Sequence, residues 1–162
     1  MSTLILSETG HIEIAKLFKG KNYFLAWGTN PNGDWGKNPD PVNTSHTQLL
    51  NEIGRRKILV QEFVTPSPTG EIETTIGYFA ISKTPTKYVY FRCNFSFTDA
   101  PDSNIAQFGL FSDTVPKDEF KELNYLTPAQ IQDKGNLLAL ENCATIYRSE
   151  SVKEVHEMIL TF

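Results

Sequence analysis

From Thr86 to Phe111 the chain reads TKYVYFRCNFSFTDAPDSNIAQFGLF, and the first half of that segment alternates. Val89, Phe91, Cys93, Phe95 and Phe97 are apolar, while Arg92, Asn94 and Ser96 between them are polar. A period of two predicts a half-buried antiparallel strand. Slipping the register by one residue would bury Arg92 and expose the phenylalanines, at about 1.5 to 3 kcal/mol for each large side chain taken out of the core. Phe91, Cys93, Phe95 and Phe97 are therefore expected to face inward, with Arg92 and Asn94 outward. After a polar break at 98–104, the run IAQFGLF sets Ile105, Phe108, Leu110 and Phe111 around Gly109. The missing side chain there permits a tight bend or a close backbone contact.

The same reading extends along the chain. Between Thr9 and Lys19, Ile12, Ala15 and Phe18 share one helical face, which predicts a short helix, although HIEI also alternates. YFLAW within 22–27 predicts a compact strand. It is followed by GTNPNGDWGKNPDP, whose prolines and glycines predict a long ordered loop from Gly28 to Pro41. Ser45 with Gln48 fits a capping box, and Leu49, Leu50 and Ile53 form one face, so a helix is predicted over 45–56 with its basic end at Arg55 to Lys57. Ile58 to Val64 and Thr74 to Ser82 predict strands of a hairpin leading into the strand at Tyr88. Thr114 and Pro116 open a short helical segment, and Thr127, Pro128 and Gln130 a second, capped one that Gly135 closes. Asn136 to Arg148 reads as a strand and 149–153 as a polar turn. His156 to Phe162 reads as a last strand with Met158, Leu160 and Phe162 on one side. The expected fold is mainly β, an antiparallel sheet or sandwich with a few short helices, in a single domain spanning 1–162.

Composition narrows the function classes. At 162 residues and 18.3 kDa the chain can bury a core without metal or disulfide staples. A net charge of −4 makes a phosphate-binding surface a poor expectation, so nucleic acid is not expected as a partner. Cys93 lies on the apolar face of its strand, where cysteine behaves as a small hydrophobe, and a disulfide to Cys143 is not required at this size. MSTLILSETGH has no basic region before its short apolar run, and no stretch is long enough to span a membrane. Synthesis and assembly in a cytoplasm are expected, with no membrane partner.

Sites of chemistry are sparse. His11, His46 and His156 lie in unrelated segments and form no metal-type pair. No serine sits in a glycine-flanked elbow, and no lysine and hydroxyl residue follow GTNPNG as a phosphate loop requires. Asn32, Asp34 and Asp40 near Gly33 lack calcium-loop spacing and a closing glutamate. No catalytic residue, metal ligand or cofactor is assigned. Trp27 and Trp35 with Tyr23 and Tyr78 could stack on a sugar, but aromatics at this density in a β protein serve more often as core and interface. The loop from Gly28 to Pro41 reads better as a contact element, because prolines reduce the entropy lost on docking and Trp35 is a hot-spot residue type.

Four segments recur here in order: AWG at Ala26 to Gly28 before the proline and asparagine loop, TQLLNEIGRR at Thr47 to Arg56, IAQFGLF at Ile105 to Phe111, and GNLLALENC at Gly135 to Cys143. In this the chain resembles the attachment-type domains at the N-termini of phage tail fibres and related baseplate proteins of contractile-tail particles. The resemblance implies a structural virion component at the baseplate, fibre attachment point or neck. It would act through contacts with other virion proteins, as a homo-oligomer or part of a ring, with Trp27, Asn32, Asp34, Trp35, Phe108 and Phe111 as candidate interface residues. Two departures stand out: Gln107 and Phe108 occupy the place of the usual acidic residue before GLF, and no fibrous shaft follows, so a stand-alone piece is expected. A carbohydrate-binding module recognising a host glycan, and an enzyme, are the competing readings.

Overall fold

The computed structural model describes residues 3–162. In chain order these form helix α1 (Glu8–Phe18) and strands β1 (Tyr23–Thr29), β2 (Asn51–Lys57), β3 (Val60–Pro66), β4 (Ile72–Thr74), β5 (Gly77–Ile81), β6 (Tyr88–Phe95), β7 (Asn104–Ser112) and β8 (Val115–Pro116). They continue with β9 (Tyr125–Leu126), β10 (Ile131–Asp133), β11 (Asn136–Tyr147) and β12 (Glu154–Thr161), and single 3₁₀ turns fall at Asp118–Phe120 and Pro128–Gln130. The protein is mainly β, built of antiparallel sheets. The described residues group into two compact units, one from residues up to 21, 59–92 and 156–162, the other from 22–58 and 93–155.

The first unit is a sheet in the order β12-β6-β3-β5-β4 with α1. Ser7 caps the helix by accepting from the Gly10 amide at 3.2 Å. Ala15 is buried, and Phe18 meets Phe91 edge-on at 6.1 Å and Phe162 at 4.8 Å. Val64, Phe79 and Tyr90 form the core, with Ile72, Tyr88 and Ile159 packed against it. The hairpin expected from Ile58 to Ser82 forms as β3 against β5, but β6 joins β3 on its other side, so β3 is interior to the sheet. On β6, Phe91, Cys93 and Phe95 are buried and Arg92 and Asn94 exposed, as the alternation predicts. Tyr90 is buried as well, its hydroxyl donating to Glu157 at 2.5 Å, so this stretch is covered on both faces. Phe97 departs from the expectation: it lies past the strand end, 41% exposed, beneath the Lys153 ammonium at 5.0 Å. Alternation carries a side chain inward only while the strand lasts.

The second unit is a sheet in the order β11-β7-β1-β2-β9 with the two-stranded pair β10-β8. β1 is central, and its residues Tyr23 to Gly28 are all buried, the signature of a strand covered on both faces. Trp27 stacks on Phe95 at 3.5 Å and meets Phe108 edge-on at 6.5 Å. Two apolar clusters complete the core, Phe24, Leu126 and Ile131 in one, Ala26, Leu49 and Phe111 in the other. Gly109 lies in the unbroken strand β7 with Leu49 where a side chain would stand, so close packing rather than a bend explains it. Cys93 and Cys143 are free thiols.

The helix expected over 45–56 does not form. Its C-terminal half is β2, paired antiparallel to β1. The register shifts between Trp27 and Gly28, whose partners are Gly54 and Glu52, leaving Ile53 as an extra residue. That bulge brings Glu52 and Arg55, three apart, to the same face. The same i, i+3 spacing that suits a helix is thus met in a strand. Gly54 has no room for a side chain because the Tyr125 ring covers it. The capped segment at 127 is likewise shorter than expected. Its capping box forms, but the chain turns extended at Ile131.

Candidate interaction surface

The loop after β1 is held in place by side chains of β11. Asp34 accepts from the Gly36 amide at 2.8 Å, from the Thr145 hydroxyl at 2.6 Å and from the Tyr147 hydroxyl at 3.4 Å. Asn142 donates to the Asp40 carbonyl at 2.8 Å, and Asp40 in turn accepts the Trp35 indole N–H at 3.0 Å. The loop is therefore pinned at two points and closed on itself between them. β11 presents both clamps because its register against β7 is irregular between Asn142 and Ile146, and such an irregularity re-aims side chains.

Behind the clamp lies Gln107, almost fully buried, which donates to Asn142 at 2.7 Å and accepts the Leu50 amide at 2.7 Å. A neutral amide serves both neighbours at once, as donor and acceptor, where a carboxylate could only accept. Where an acidic residue usually stands before GLF, Gln107 makes these two bonds instead. Beside the loop an open groove of about 420 Å³ is lined by Asn30, Asp34, Asp102, Asn104, Thr145 and Tyr147 among others. The whole excess of negative charge lies in this unit, the first unit being neutral.

The Thr145 hydroxyl and the Gly36 amide hold the Asp34 carboxyl below its ordinary value of 3.8. Because the folded pKa is depressed, this clamp contributes fully above the unfolded value and is lost as pH falls through the folded one. Acidification below pH 3.8 should release the loop, seen as faster exchange of the Gly36 amide proton, and Asp34→Asn should remove that pH dependence. Exchange that stays constant down to global unfolding would contradict it.

The expected interface residues divide. Asn32 and Asp34 are exposed, and Trp35 and Phe108 half-buried. Trp27 and Phe111 are not available to a partner: Trp27 lies between Phe95 and the Arg148 guanidinium, and Phe111 lies under the Arg55 guanidinium at 3.9 Å. Both are core side chains, because β1 and β7 are interior strands of the sheet. The sugar-stacking set does not assemble either, since Tyr23 and Trp27 are wholly buried. Gln107, Asn142, Thr145 and Tyr147 were not candidates; their signal was a polar side chain inside an otherwise apolar strand.

Burial pushes the Cys93 thiol up to about 12 and the Cys143 thiol up to about 11, so both stay protonated at neutral pH. Among the described residues no three His, Cys, Asp or Glu side chains come together to hold a metal ion, and no helix is long and apolar enough to cross a membrane. The site is that of a β-rich protein offering a pinned, polar loop surface. The chain belongs to the family of baseplate wedge 3 tail fiber network components, whose model matches residues 4–162. It is accordingly a structural component of a phage baseplate and tail-fibre network, located in the virion among other virion proteins. No curated protein matches the sequence.

Proposed function

We propose that this chain is a non-enzymatic adaptor, residues 1–162 acting as one domain, that joins neighbouring virion proteins through the loop from Gly28 to Pro41 in a symmetric assembly formed in the host cytoplasm. The observation that carries this reading is the double clamp of β11 on the loop through Asp34 and Asp40. A loop already ordered loses little conformational entropy when it docks. Asn32, Asp34 and Trp35 on the loop, with Phe108 on β7, are the contact residues. The acidic excess of the unit disfavours nucleic acid as the partner.

Trp35→Ala tests it. Trp35 lies outside every strand and bonds only locally to Asp40, so truncation should leave melting nearly unchanged while weakening association by about 2 kcal/mol, the size of a hot-spot aromatic. The measurement sets thermal melting of the purified variant beside its incorporation into particles. A variant that melts far below the parent makes Trp35 a core residue, and one that melts and assembles normally makes the loop a mere connection.

A further inference from the structure

We propose that the Asn32–Gly33 pair is a self-modifying site, at which the Asn32 side-chain amide is lost through attack by the Gly33 backbone nitrogen. The loop after β1 holds three asparagines, at positions 30, 32 and 38. An asparagine can close a ring only onto the N–H of the residue that follows it. Asn30 and Asn38 precede Pro31 and Pro39, whose nitrogens carry no hydrogen, so both are inert to this reaction. Asn32 precedes glycine, which has no Cβ to obstruct the nucleophile, and this is the one asparagine–glycine pair in the chain. The fold leaves each reacting group open. Asn32 and Gly33 are both exposed. The Asn32 backbone N–H donates to the Asn30 side-chain oxygen at 3.0 Å, but the Asn32 side-chain amide bonds to no protein group among the described residues, so its Cγ is free to turn toward the next peptide. The Gly33 N–H donates to the Asn30 carbonyl at 3.3 Å, beyond the roughly 2.7 to 3.2 Å of a normal N–H···O bond, and is weakly held. Gly33 has a φ of +109°, and nothing lies within 4 Å of where its Cβ would stand, so water and solvent base reach the nitrogen and the ring has room to close.

The reaction needs only water and a solvent base. The base takes the Gly33 amide proton, the nitrogen bonds to Asn32 Cγ, and the Cγ–Nδ2 bond breaks as ammonia leaves with a proton from water. Nucleophile and carbonyl belong to neighbouring residues, so the attack is intramolecular and gains the advantage of proximity. The five-membered succinimide then adds water at one of its two carbonyls. Opening at Cγ restores the original backbone with an aspartyl side chain. Opening at the main-chain carbonyl leaves an isoaspartyl residue, whose backbone runs through Cβ and Cγ. Either product makes the chain one charge more negative than its −4 and puts that charge two residues from Asp34. The isoaspartyl form also adds a carbon to the turn that leads into the Asp34 clamp. The chemistry is independent of the loop's role in docking, and only its effect on assembly rests on that role.

Incubation of the folded chain in oxygen-18 water, followed by digestion in mild acid and peptide mass spectrometry, is the test. Position 32 should exchange NH2 for OH, carry one heavy oxygen and appear as a mixture of aspartyl and isoaspartyl forms, faster at alkaline than at neutral pH. Asn30 and Asn38 should stay unchanged, and Asn32→Gln should lose the signal. Conversion of Asn32 no faster than that of Asn43, outside the loop, overturns the proposal. Conversion that begins only in denaturant, or that yields no isoaspartyl form, overturns it equally. Particle incorporation separates this chemistry from the docking reading. Asn32→Asp, melting as the parent does, should incorporate less than Asn32→Gln, because a carboxylate desolvated in a contact without a counter-charge is costly. Equal incorporation would count against Asn32 as a contact residue and leave the chemistry standing.

Discussion

Truncation of Trp27→Ala should destabilise the protein by about 3 to 5 kcal/mol, the largest effect expected of any apolar side chain here. Trp27 is wholly buried on the central strand, stacked on Phe95 and flanked by Phe108. The Arg148 guanidinium stands 5.5 Å from its ring and is itself held by the carbonyls of Ser96, Ser149 and Val152. Removing the indole opens a cavity between groups anchored elsewhere, so little collapse can fill it. Against a total stability of roughly 5 to 15 kcal/mol, that loss should lower the melting temperature by about 6 to 20 °C. Trp27→Phe keeps an aromatic against Phe95 and should lose much less. A Trp27→Ala variant melting within a degree or two of the parent would show that the stack is not central to the core.

Arg55→Ala should cost a comparable amount by a different route. Arg55 is wholly buried on β2, its Nε and Nη2 donating to the Glu52 carboxylate at 2.7 Å each, its Nη1 to Thr114 at 2.6 Å and to the Lys134 carbonyl at 2.7 Å. The guanidinium also covers the Phe111 ring at 3.9 Å. Taking away the cation leaves Glu52, whose side chain is 6% exposed, as a buried carboxylate without its counter-charge. Breaking one side of such a pair costs about 3 to 5 kcal/mol, whereas removing both partners costs much less. Chemical denaturation of Arg55→Ala, Glu52→Ala and the double variant separates the pair from its parts. A double variant as unstable as the sum of the single ones would show that the two residues do not act together.

Much of the architecture was legible in the chain. Where burial has a period, as in Val89 to Phe95, or where apolar residues run unbroken, as in Tyr23 to Trp27, the side chains declare a strand before any partner is known. Ile12, Ala15 and Phe18 between Gly10 and Gly20 point to a short helix although HIEI also alternates, and α1 begins before Gly10, at Glu8, with Ser7 as its cap. The segment from 45 to 56 misleads for a physical reason. Leu49, Leu50, Ile53 and the spacing of Glu52 and Arg55 satisfy a helix locally, but β1 needs a neighbour on that side and the bulge at Ile53 lets a strand meet the same spacing. Helix propensity amounts to tenths of a kcal/mol per residue, and a ladder of hydrogen bonds to a buried strand outweighs it.

The interface candidates show the same division. A tryptophan within a strand and one inside a loop carry identical chemistry in the sequence, yet Trp27 lies in the core and Trp35 is half-buried in its loop. The sequence by itself determined a mainly β chain with Cys93 on an apolar strand face and a proline and glycine loop after the first strand, because those follow from local period and residue type. Only the tertiary structure decided that Asp34 and Asp40 are clamped by Thr145, Tyr147 and Asn142, and that Gln107 supports the clamp from within. Those bonds join residues 35 to 113 positions apart in the sequence, where no local pattern can couple them, so which polar side chains meet is set by sheet order and register.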